Sequence, residues 1–337
     1  MKAFTFIEPG KGYVSEKSEG DPGPNEVLVK VAMCGVCGTD MRIWRGTEPS
    51  ACNVILGHEF AGEIVRVGEN VHSFSLGDRV VVDPNIYCHT CEFCLNGEVN
   101  LCENLRAIGV DIDGGFAQYC VVPITQLQKI PDTLSFQEAA FVEPIACALN
   151  GIERADIKPG QSVMIIGAGP MGLLMLQLAK LRGAGKIYVS EKVPWRRQKS
   201  LEIGADIALN PDDAPLAKQI SLRDRPKVVI ECVGEPFTQA ESIQIVQRGG
   251  TVILFGDGHK GKKFEVGSYD FYYKNLIVKG AALNPFTQSR ALSLLVEKRV
   301  NTSALLSRVI SLDELPGLLG KGYGAEDIKI LVNPNLE

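Results

Sequence analysis

The sequence has no long run of like charge, and this absence limits the partners that the protein can bind. Its 35 basic and 40 acidic residues are interspersed and leave a net charge of −5. Such a distribution argues against a nucleic-acid surface and gives no basic patch for a membrane. Internal repeats, low-complexity tracts and an amino-terminal apolar segment of signal-peptide length are also missing. We therefore expect a globular protein without a nucleic-acid or membrane partner, and the missing export segment favours the cytoplasm.

At 337 residues the chain is too long for one ordinary hydrophobic core, so two domains are expected. Residues 27–123 are a series of short β-rich segments separated by glycine, proline and aspartate. From about Lys158 the pattern changes to strand, glycine turn and apolar helix in succession, which predicts a parallel sheet with covering helices. Ten cysteines, several of which are candidate metal thiolates, favour a reducing compartment.

Four cysteines stand close together at Cys88, Cys91, Cys94 and Cys102. Four thiolates satisfy tetrahedral Zn²⁺ without an open position, and these short spacings let one loop wrap the ion. The pattern therefore predicts a structural zinc site that does no chemistry. An iron–sulfur cluster fits less well, because the gap before Cys102 departs from the bacterial ferredoxin spacing. Four unligated cysteines are the remaining alternative, but the polar, turn-rich segment offers sulfur no packed core.

A glycine-rich turn follows the predicted strand 162–166 and opens the predicted helix 173–182. Such turns occur wherever backbone runs tightly, but a position between strand and helix is typical of dinucleotide binding. The three glycines permit the tight turn, the approach of a pyrophosphate and close packing of the helix, whose N-terminus offers N–H groups to phosphate. The predicted cofactor contacts in this turn are Gly167, Gly169, Pro170, Met171 and Gly172.

Glu191 follows the next predicted strand, residues 186–190, where an acid selects between the two nicotinamide cofactors. A carboxylate here accepts hydrogen bonds from the adenosine ribose hydroxyls and repels the extra phosphate of NADP. The alternative is that Glu191 is only a solvated strand end. Lys192, Arg196 and Arg197 can neutralise a 2′-phosphate, so NADP stays open as an alternative to the predicted NAD.

Upstream, Cys37 and the dipeptide His58-Glu59 suggest a second metal site. Cysteine, histidine and carboxylate are the ligands of an open catalytic zinc site. Glu143 lies in an otherwise apolar stretch, where burial without a partner is costly, so a cation is its expected partner. From spacing alone, His58 is more often a satisfied core or surface histidine, because nothing local shows that Cys37 and His58 meet.

The order of these motifs resembles that of the zinc-dependent medium-chain dehydrogenases over nearly the whole chain. The similar segments are residues 35–40 (Gly-Val-Cys-Gly-Thr-Asp), 57–59 (Gly-His-Glu), the four-cysteine loop, 113–117 (Asp-Gly-Gly-Phe-Ala) and 167–172. Glu143-Pro144 stands where the plain alcohol dehydrogenases have a ligand cysteine. This difference makes the chain resemble the branch that contains sorbitol and other polyol dehydrogenases and threonine dehydrogenase.

The resemblance implies an α/β protein with a GroES-like β-barrel catalytic domain and a Rossmann domain with a doubly wound parallel sheet. We expect the catalytic domain at residues 1–145, with the structural-zinc loop at 88–102, and the Rossmann domain at 146–283. Residues 284–337 are expected to return to the catalytic domain and complete it. The resemblance further implies two zinc ions per chain, NAD, and assembly into a homodimer or homotetramer.

Carried over residue by residue, the resemblance puts Cys37, His58 and Glu59 at or near the catalytic zinc. Glu143 is expected to bind the metal directly or through water, since the two glutamates exchange roles in many relatives. An open site with these ligands is what zinc chemistry on a hydroxyl requires.

Other residues around the zinc and the cofactor are also assigned by the resemblance. Asp40 resembles the acid that orients His58, and Thr39 resembles the hydroxyl that takes the substrate proton, although it has the alternative role of capping the local turn. Many relatives have a histidine where this chain has Arg42, which is a poor proton shuttle. Further predicted cofactor contacts are Arg196, Val233, Phe255 and Leu283.

The resemblance implies an enzyme that transfers hydride between NAD and the secondary hydroxyl of a polyol, sugar alcohol or cyclitol, with ketone reduction as the reverse reaction. A threonine 3-dehydrogenase-like enzyme and a sugar-alcohol-phosphate dehydrogenase are alternatives. A third alternative is a non-catalytic NAD-binding sensor on the same fold. Presence of all four candidate ligands, Cys37, His58, Glu59 and Glu143, disfavours the sensor.

Overall fold

A computed structural model of the chain describes residues 1–258 and 261–336. The strands of these residues, in chain order, are β1 (Lys2–Glu8), β2 (Lys11–Glu16), β3 (Glu26–Gly35), β4 (Val54–Ile55), β5 (Glu59–Val67), β6 (Arg79–Val82), β7 (Asn85–Ile86), β8 (Arg106–Ala107), β9 (Tyr119–Pro123), β10 (Leu127–Lys129), β11 (Val163–Ile166), β12 (Ile187–Ser190), β13 (Ile207–Leu209), β14 (Val228–Glu231), β15 (Thr251–Leu254), β16 (Ile277–Gly280), β17 (Leu306–Ile310) and β18 (Lys329–Val332).

The helices of the described residues are α1 (Gly38–Trp44), α2 (Glu92–Leu95), α3 (Phe136–Ala139), α4 (Val142–Ala155), α5 (Pro170–Leu181), α6 (Pro194–Ile203), α7 (Leu216–Gln219), α8 (Pro236–Ile245), α9 (Ser268–Lys274), α10 (Gln288–Val296) and α11 (Leu315–Lys321). Two short 3₁₀ helices cover Val99–Leu101 and Ile124–Gln126.

The chain divides into two compact units. The first contains Met1–Pro144, Gln288–Lys298 and the described residues from Leu306 onward, and the second contains Ile145–Thr287 and Arg299–Leu305. The domain boundaries after residues 145 and 283 stay a prediction.

In the first unit, one sheet brings distant parts of the chain together beside Cys37. Its strand order is β10-β6-β5-β3-β18-β17, and β9 also pairs with β3. Strands β3 and β5 are antiparallel with Gly35 opposite Glu59, and β18 pairs with the end of β3 so that Leu331 also lies opposite Gly35. Because Cys37 follows β3 and His58 precedes β5, this register brings the two residues to the same end of the sheet.

The second unit is built on a parallel sheet with the order β13-β12-β11-β14-β15-β16. All four residues of β11, β12 and β14 are buried, as expected for strands covered by helices on both faces. Parallel strands end at the same edge of their sheet, so the turns after β11, β12, β14, β15 and β16 lie along that edge. The predicted parallel sheet is confirmed, with the added short strand β13.

Candidate active site

The four cysteines of residues 88–102 form one cluster in the first unit, with sulfur atoms that all lie within 4.8 Å of one another. The Sγ atoms of Cys88 and Cys94 are 4.0 Å apart. Backbone N–H groups donate to sulfur, from Cys91 to Cys88 at 3.4 Å and from Cys88 to Cys102 at 3.3 Å. Hydrogen bonds from Thr90 and from the backbone lower the pKa of Cys88 to about 5. Such bonds favour thiolate at Cys88, whereas desolvation and the neighbouring thiols raise the pKa of Cys94 to about 12. The fit to a closed zinc site therefore depends on the clustering of four sulfur atoms rather than on these pKa values.

A second cluster joins Cys37, His58 and Glu59, whose ligand atoms also lie within 4.8 Å of one another. Cys37 caps helix α1, and the other two residues stand where β5 begins. His58 is 7% exposed and Glu59 is 1% exposed, whereas Cys37 is partly exposed. Two of the three ligand groups are thus buried, compared with Cys102 alone among the four cysteines of the loop. The structure therefore brings together three of the residues that the sequence assigned to the catalytic metal.

Two glycines allow this cluster to pack. Gly57 has a φ of +96°, and a Cβ there would lie 2.8 Å from both Cys34 Sγ and the Phe116 ring. A Cβ at Gly35 would overlap the Glu59 carboxylate. A side chain at Gly35 would therefore displace Glu59, and one at Gly57, the residue next to His58, would push against Cys34 and Phe116.

Asp40 supports both Cys37 and His58 from behind. One carboxylate oxygen accepts the Cys37 backbone N–H at 2.8 Å, and the other lies 3.6 Å from His58 Nδ1. Burial raises the pKa of Asp40, which is fully buried. Burial lowers the pKa of His58, but the negative charges of Asp40 and Cys37 outweigh it and leave this pKa well above its ordinary value. Asp40 thus faces Nδ1 of His58, and through this nitrogen it would orient the imidazole ring of a metal-bound His58.

Lys329 is a site residue that the sequence reasoning missed. Its ammonium group forms a buried ion pair with the Glu59 carboxylate and donates to the Val36 carbonyl at 2.9 Å. Burial lowers the pKa of Lys329, but Glu59 and Cys37 raise it more, so the net shift is upward. The Tyr323 hydroxyl donates to the same Val36 carbonyl at 2.7 Å. The sequence did contain a signal for this residue, because Lys329 is a charged residue within the otherwise apolar run 328–332.

Glu143 lies in the first turn of α4 and is 7% exposed. Its negative charge contributes to the raised pKa values of His58 and Lys329, so it belongs to the same electrostatic environment. The group of ligand atoms within 4.8 Å consists of Cys37, His58 and Glu59 among the described residues. Glu143 as a zinc ligand stays a prediction.

Thr39 presents its hydroxyl beside the cluster. Its Oγ1 lies 3.6 Å from Cys37 Sγ and accepts a hydrogen bond from Arg42 at 3.1 Å. The Arg42 guanidinium is also 3.6 Å from a carboxylate oxygen of Glu48. Thr39 is therefore within reach of the predicted metal position, and its role as proton acceptor stays a prediction.

The donor set and the charges fit zinc. Thiolate, imidazole and carboxylate are its usual protein ligands. Asp40 and Glu59 are buried acids close to Cys37, and the buried Glu143 adds its negative charge to the surroundings of His58. The buried ammonium of Lys329 neutralises part of this charge. An excess of buried negative charge is costly without a cation, and Zn²⁺ supplies the missing charge.

In the second unit, the glycine turn has the shape of a pyrophosphate cradle. Gly167 has a φ of +94°, a backbone conformation that favours glycine. A Cβ at Gly169 would meet nothing within 4 Å, which leaves the backbone open to a ligand, and one at Gly172 would overlap the Gly167 carbonyl oxygen. Helix α5 begins at Pro170 directly beyond this opening.

Glu191 connects this turn to the start of helix α6. Its two carboxylate oxygens accept the backbone N–H groups of Ala168 at 2.8 Å and Val193 at 2.9 Å. Arg197 donates to the carbonyl oxygens of Glu191 and Lys192 at 2.7 and 2.6 Å. The carboxylate is thus held in a fixed position beside the glycine turn.

The turns after neighbouring strands continue the same edge. A Cβ at Gly167 would lie 2.8 Å from the Val233 side chain, and one at Gly234 would lie 2.6 Å from the Asp257 carbonyl oxygen. The turns after β11, β14 and β15 therefore abut, with glycine at the points of contact. Phe255 follows β15 and Leu283 lies three residues beyond β16, while Arg196 lies on α6 with its guanidinium 5.9 Å from the Trp195 ring centre.

No helix in the described part of the chain has the length and apolar character needed to cross a membrane.

Both units match known families. Residues 23–132 match the alcohol dehydrogenase GroES-like domain, and residues 170–297 match the zinc-binding dehydrogenases. The sorbitol dehydrogenase of Halalkalibacterium halodurans is 33% identical over 347 aligned positions, which cover 99% of each chain. The chain belongs to the zinc-binding alcohol dehydrogenase family. This dehydrogenase therefore has the GroES-like and Rossmann folds that the sequence predicted.

Other relatives agree with this assignment. The L-threonine 3-dehydrogenase of Pyrococcus horikoshii is 36% identical over 265 positions, which cover 76% of each chain. A solved structure from Sinorhizobium meliloti, described as a candidate zinc-binding dehydrogenase bound to NADP, is 40% identical, covers 99% of each chain and has a TM-score of 0.96. The prediction of a zinc-dependent medium-chain dehydrogenase related to the polyol branch is confirmed.

Proposed function

We propose that this dehydrogenase transfers hydride between NAD and the secondary hydroxyl of a polyol, sugar alcohol or cyclitol. The observation that carries the proposal is the cluster of Cys37 with the buried His58 and Glu59, in a chain that also has a complete dinucleotide turn. A sensor that only binds nucleotide has no need for a thiol, an imidazole and a carboxylate gathered within one ligand distance.

The proposed roles follow from the chemistry of each group. Cys37, His58 and Glu59 hold the catalytic zinc, with Glu143 as a further carboxylate, and the four cysteines of residues 88–102 hold the structural zinc. When bound, zinc supplies Lewis acidity toward a hydroxyl and NAD supplies the hydride acceptor. Asp40 keeps the His58 ring in its orientation through Nδ1.

Thr39 is the proposed proton acceptor for the substrate hydroxyl. Its Oγ1 accepts from Arg42, so its own hydrogen points elsewhere and can be passed on when the substrate proton arrives. A guanidinium has no acceptor atom and keeps its proton at any ordinary pH, so Arg42 cannot conduct the proton further. The proton must leave from Thr39 by water or by a cofactor hydroxyl.

NAD is the proposed cofactor because of the charges beside the glycine turn. The Glu191 carboxylate is fixed there by two backbone N–H groups, where it favours ribose hydroxyls and repels a 2′-phosphate. Of the nearby cations, Arg197 is bound to backbone carbonyls, and Lys192 lies 3.4 Å from Asp212. The NADP in the Sinorhizobium meliloti structure is the reason to measure both cofactors.

The polyol substrate is supported by the sorbitol dehydrogenase that aligns over almost its entire length. The threonine dehydrogenase aligns over a smaller share of the chain, so an amino-acid substrate is the second candidate. A panel of polyols, cyclitols, their phosphates and threonine, assayed for NADH formation with metal content on the same sample, tests the proposal. We expect turnover of a polyol-type substrate with about two zinc ions per chain. Zinc and NAD binding without turnover would favour the sensor.

We also propose a cytoplasmic homodimer or homotetramer, with a GroES-like domain at 1–145 and 284–337 and a Rossmann domain at 146–283. Strand β16 is an edge of its sheet, and β15 is its partner among the described residues. The aromatic side chains of α9, including Tyr272 at 85% exposure, lie shortly before this edge in the sequence. Light scattering of Ile277→Lys, which places a charge on the β16 edge, tests the assembly.

Ten cysteines that form no disulfide within the described residues support the proposed cytoplasmic, reducing compartment.

A further inference from the structure

Asn150 of helix α4 holds the turn that follows the last strand of the parallel sheet. Its side chain is buried, and its Nδ2 donates to two successive carbonyl oxygens, those of Ala282 and Leu283, each at 3.0 Å. One amide group therefore fixes two neighbouring peptide planes. The sequence reasoning missed Asn150, because nothing in its local pattern distinguishes it from an ordinary polar position on a helix.

The turn held by Asn150 has a strained backbone. Leu283 has a φ of +59° and Phe286 a φ of +53°. Both values lie in the left-handed region, which is unfavourable for side chains of this kind. Such conformations persist only where the surroundings fix them, and they cluster at sites that contact ligands.

Two more contacts from the same face of α4 fix the segment on either side of the turn. The Ala146 carbonyl accepts from the Thr287 hydroxyl at 2.7 Å, and the Arg154 carbonyl accepts from Lys279 Nζ at 3.0 Å. Ala146, Asn150 and Arg154 are spaced four residues apart and so lie along one stripe of the helix. The stripe holds residues 279–287 at three successive points.

The sheet order determines which part of a dinucleotide this turn would meet. The pyrophosphate cradle follows β11, and the acid that faces the adenosine ribose follows β12. A dinucleotide crosses the carboxyl ends of the strands, so its other half extends from β11 toward β14, β15 and β16. Leu283 lies beyond β16, on the side away from the adenosine.

We propose that Asn150 is a positioning residue for the nicotinamide end of the cofactor. It holds residues 282–286 in the strained conformation that receives the nicotinamide and its carboxamide, so that binding does not have to order the turn. The proposal rests on the proposed function, because it requires that the sheet edge binds a nicotinamide dinucleotide.

The test compares NADH with ADP-ribose, which lacks the nicotinamide, by calorimetric titration of the full-length zinc-loaded protein. In Asn150→Ala we expect the Kd of NADH to rise about tenfold, as for the loss of two buried hydrogen bonds to one group, and the Kd of ADP-ribose to change less than about twofold. Gln177→Ala is the matched control, since Gln177 is a buried amide of α5 that contacts the Asn301 backbone. It should leave both Kd values within about twofold.

Asn150→Leu keeps the approximate size of the side chain and removes its N–H donors without adding a charge, and it replaces the alanine variant if that protein does not fold. It should give the same selective loss of NADH affinity. An unchanged NADH Kd, or an equal loss for NADH and ADP-ribose, would overturn the role of Asn150 while leaving the proposed function in place. A wild-type protein that binds neither ligand would overturn both.

Discussion

The two sulfur-containing clusters of the first unit differ in how the fold assembles them. The cysteine cluster takes all four members from residues 88–102, is partly exposed and is supported by backbone N–H groups of its own loop. In the cluster of Cys37, His58 and Glu59 the imidazole and the carboxylate are buried, and support comes from Asp40 and from Lys329, which is distant in sequence. A metal site of four cysteines can thus be built within one loop. The site of Cys37, His58 and Glu59 depends on tertiary structure, because its charges are balanced by residues from distant parts of the chain.

The largest effect is expected from removing the thiol of the cluster formed by Cys37, His58 and Glu59. Cys37→Ser should lower turnover by at least about a hundredfold, because a lost metal ligand costs more than a lost residue that only supports a ligand. The melting temperature and the Kd of NADH should change little. Steady-state kinetics, zinc content and thermal melting of the same sample measure this. Cys52→Ser, at an exposed cysteine, is the control. Turnover that survives in Cys37→Ser would remove the catalytic role of the cluster.

Breaking the buried ion pair should destabilise the first unit. Lys329→Met leaves Glu59 buried without its ammonium partner, and loss of one member of such a pair costs about 3–5 kcal/mol of unfolding free energy. Urea unfolding measures the change. Lys298→Met breaks the pair with Glu138, in which the lysine is 64% exposed, and should cost at most about 1 kcal/mol. Equal effects of the two variants would mean that burial does not distinguish these pairs.

Loss of one thiolate from the four-cysteine cluster of residues 88–102 should lower the stability of the protein. Cys94→Ser is expected to lower the melting temperature by about 5 °C and the zinc content by one ion per chain, because a structural zinc contributes directly to folding. Turnover per folded molecule at low temperature should change little. Differential scanning calorimetry with metal analysis tests this against Cys52→Ser. An unchanged melting temperature would contradict a structural zinc.

The smallest effect in this series is expected from residues that support the ligands. Asp40→Asn should lower turnover about tenfold, because the His58 ring loses the negative charge that faces Nδ1. In the closed cluster, Thr90→Val removes a hydrogen bond to Cys88 and should change turnover less than about twofold. Comparison of kcat for the two variants tests whether turnover depends on the Cys37 cluster rather than on the four-cysteine cluster. A larger loss of turnover in Thr90→Val than in Asp40→Asn would contradict this expectation.

How far the sequence predicted each region follows the same division. The cysteine loop, the glycine turn and Glu191 depend on residues that are close in sequence, and the structure brings the members of each together. Lys329 was missed because its partner Glu59 is distant in sequence. Asn150 was missed for the same reason, since its partners are Ala282 and Leu283. Hydrophobic pattern shows that a strand or helix is buried, but it does not tell which distant polar group will meet a given side chain.

The register of β18 beside β3 has a consequence for biosynthesis. Residues 88–102 leave the ribosome well before Lys329, by roughly ten to forty-five seconds at the usual 5–20 residues per second. The closed loop can take up its metal during this interval, while Glu59 still lacks its ammonium partner and Val36 lacks Tyr323. A nascent chain stalled before β18 should therefore carry zinc on the cysteine loop, whereas the ion pair of Glu59 and the hydrogen bonds to Val36 form only after β18 has been synthesised.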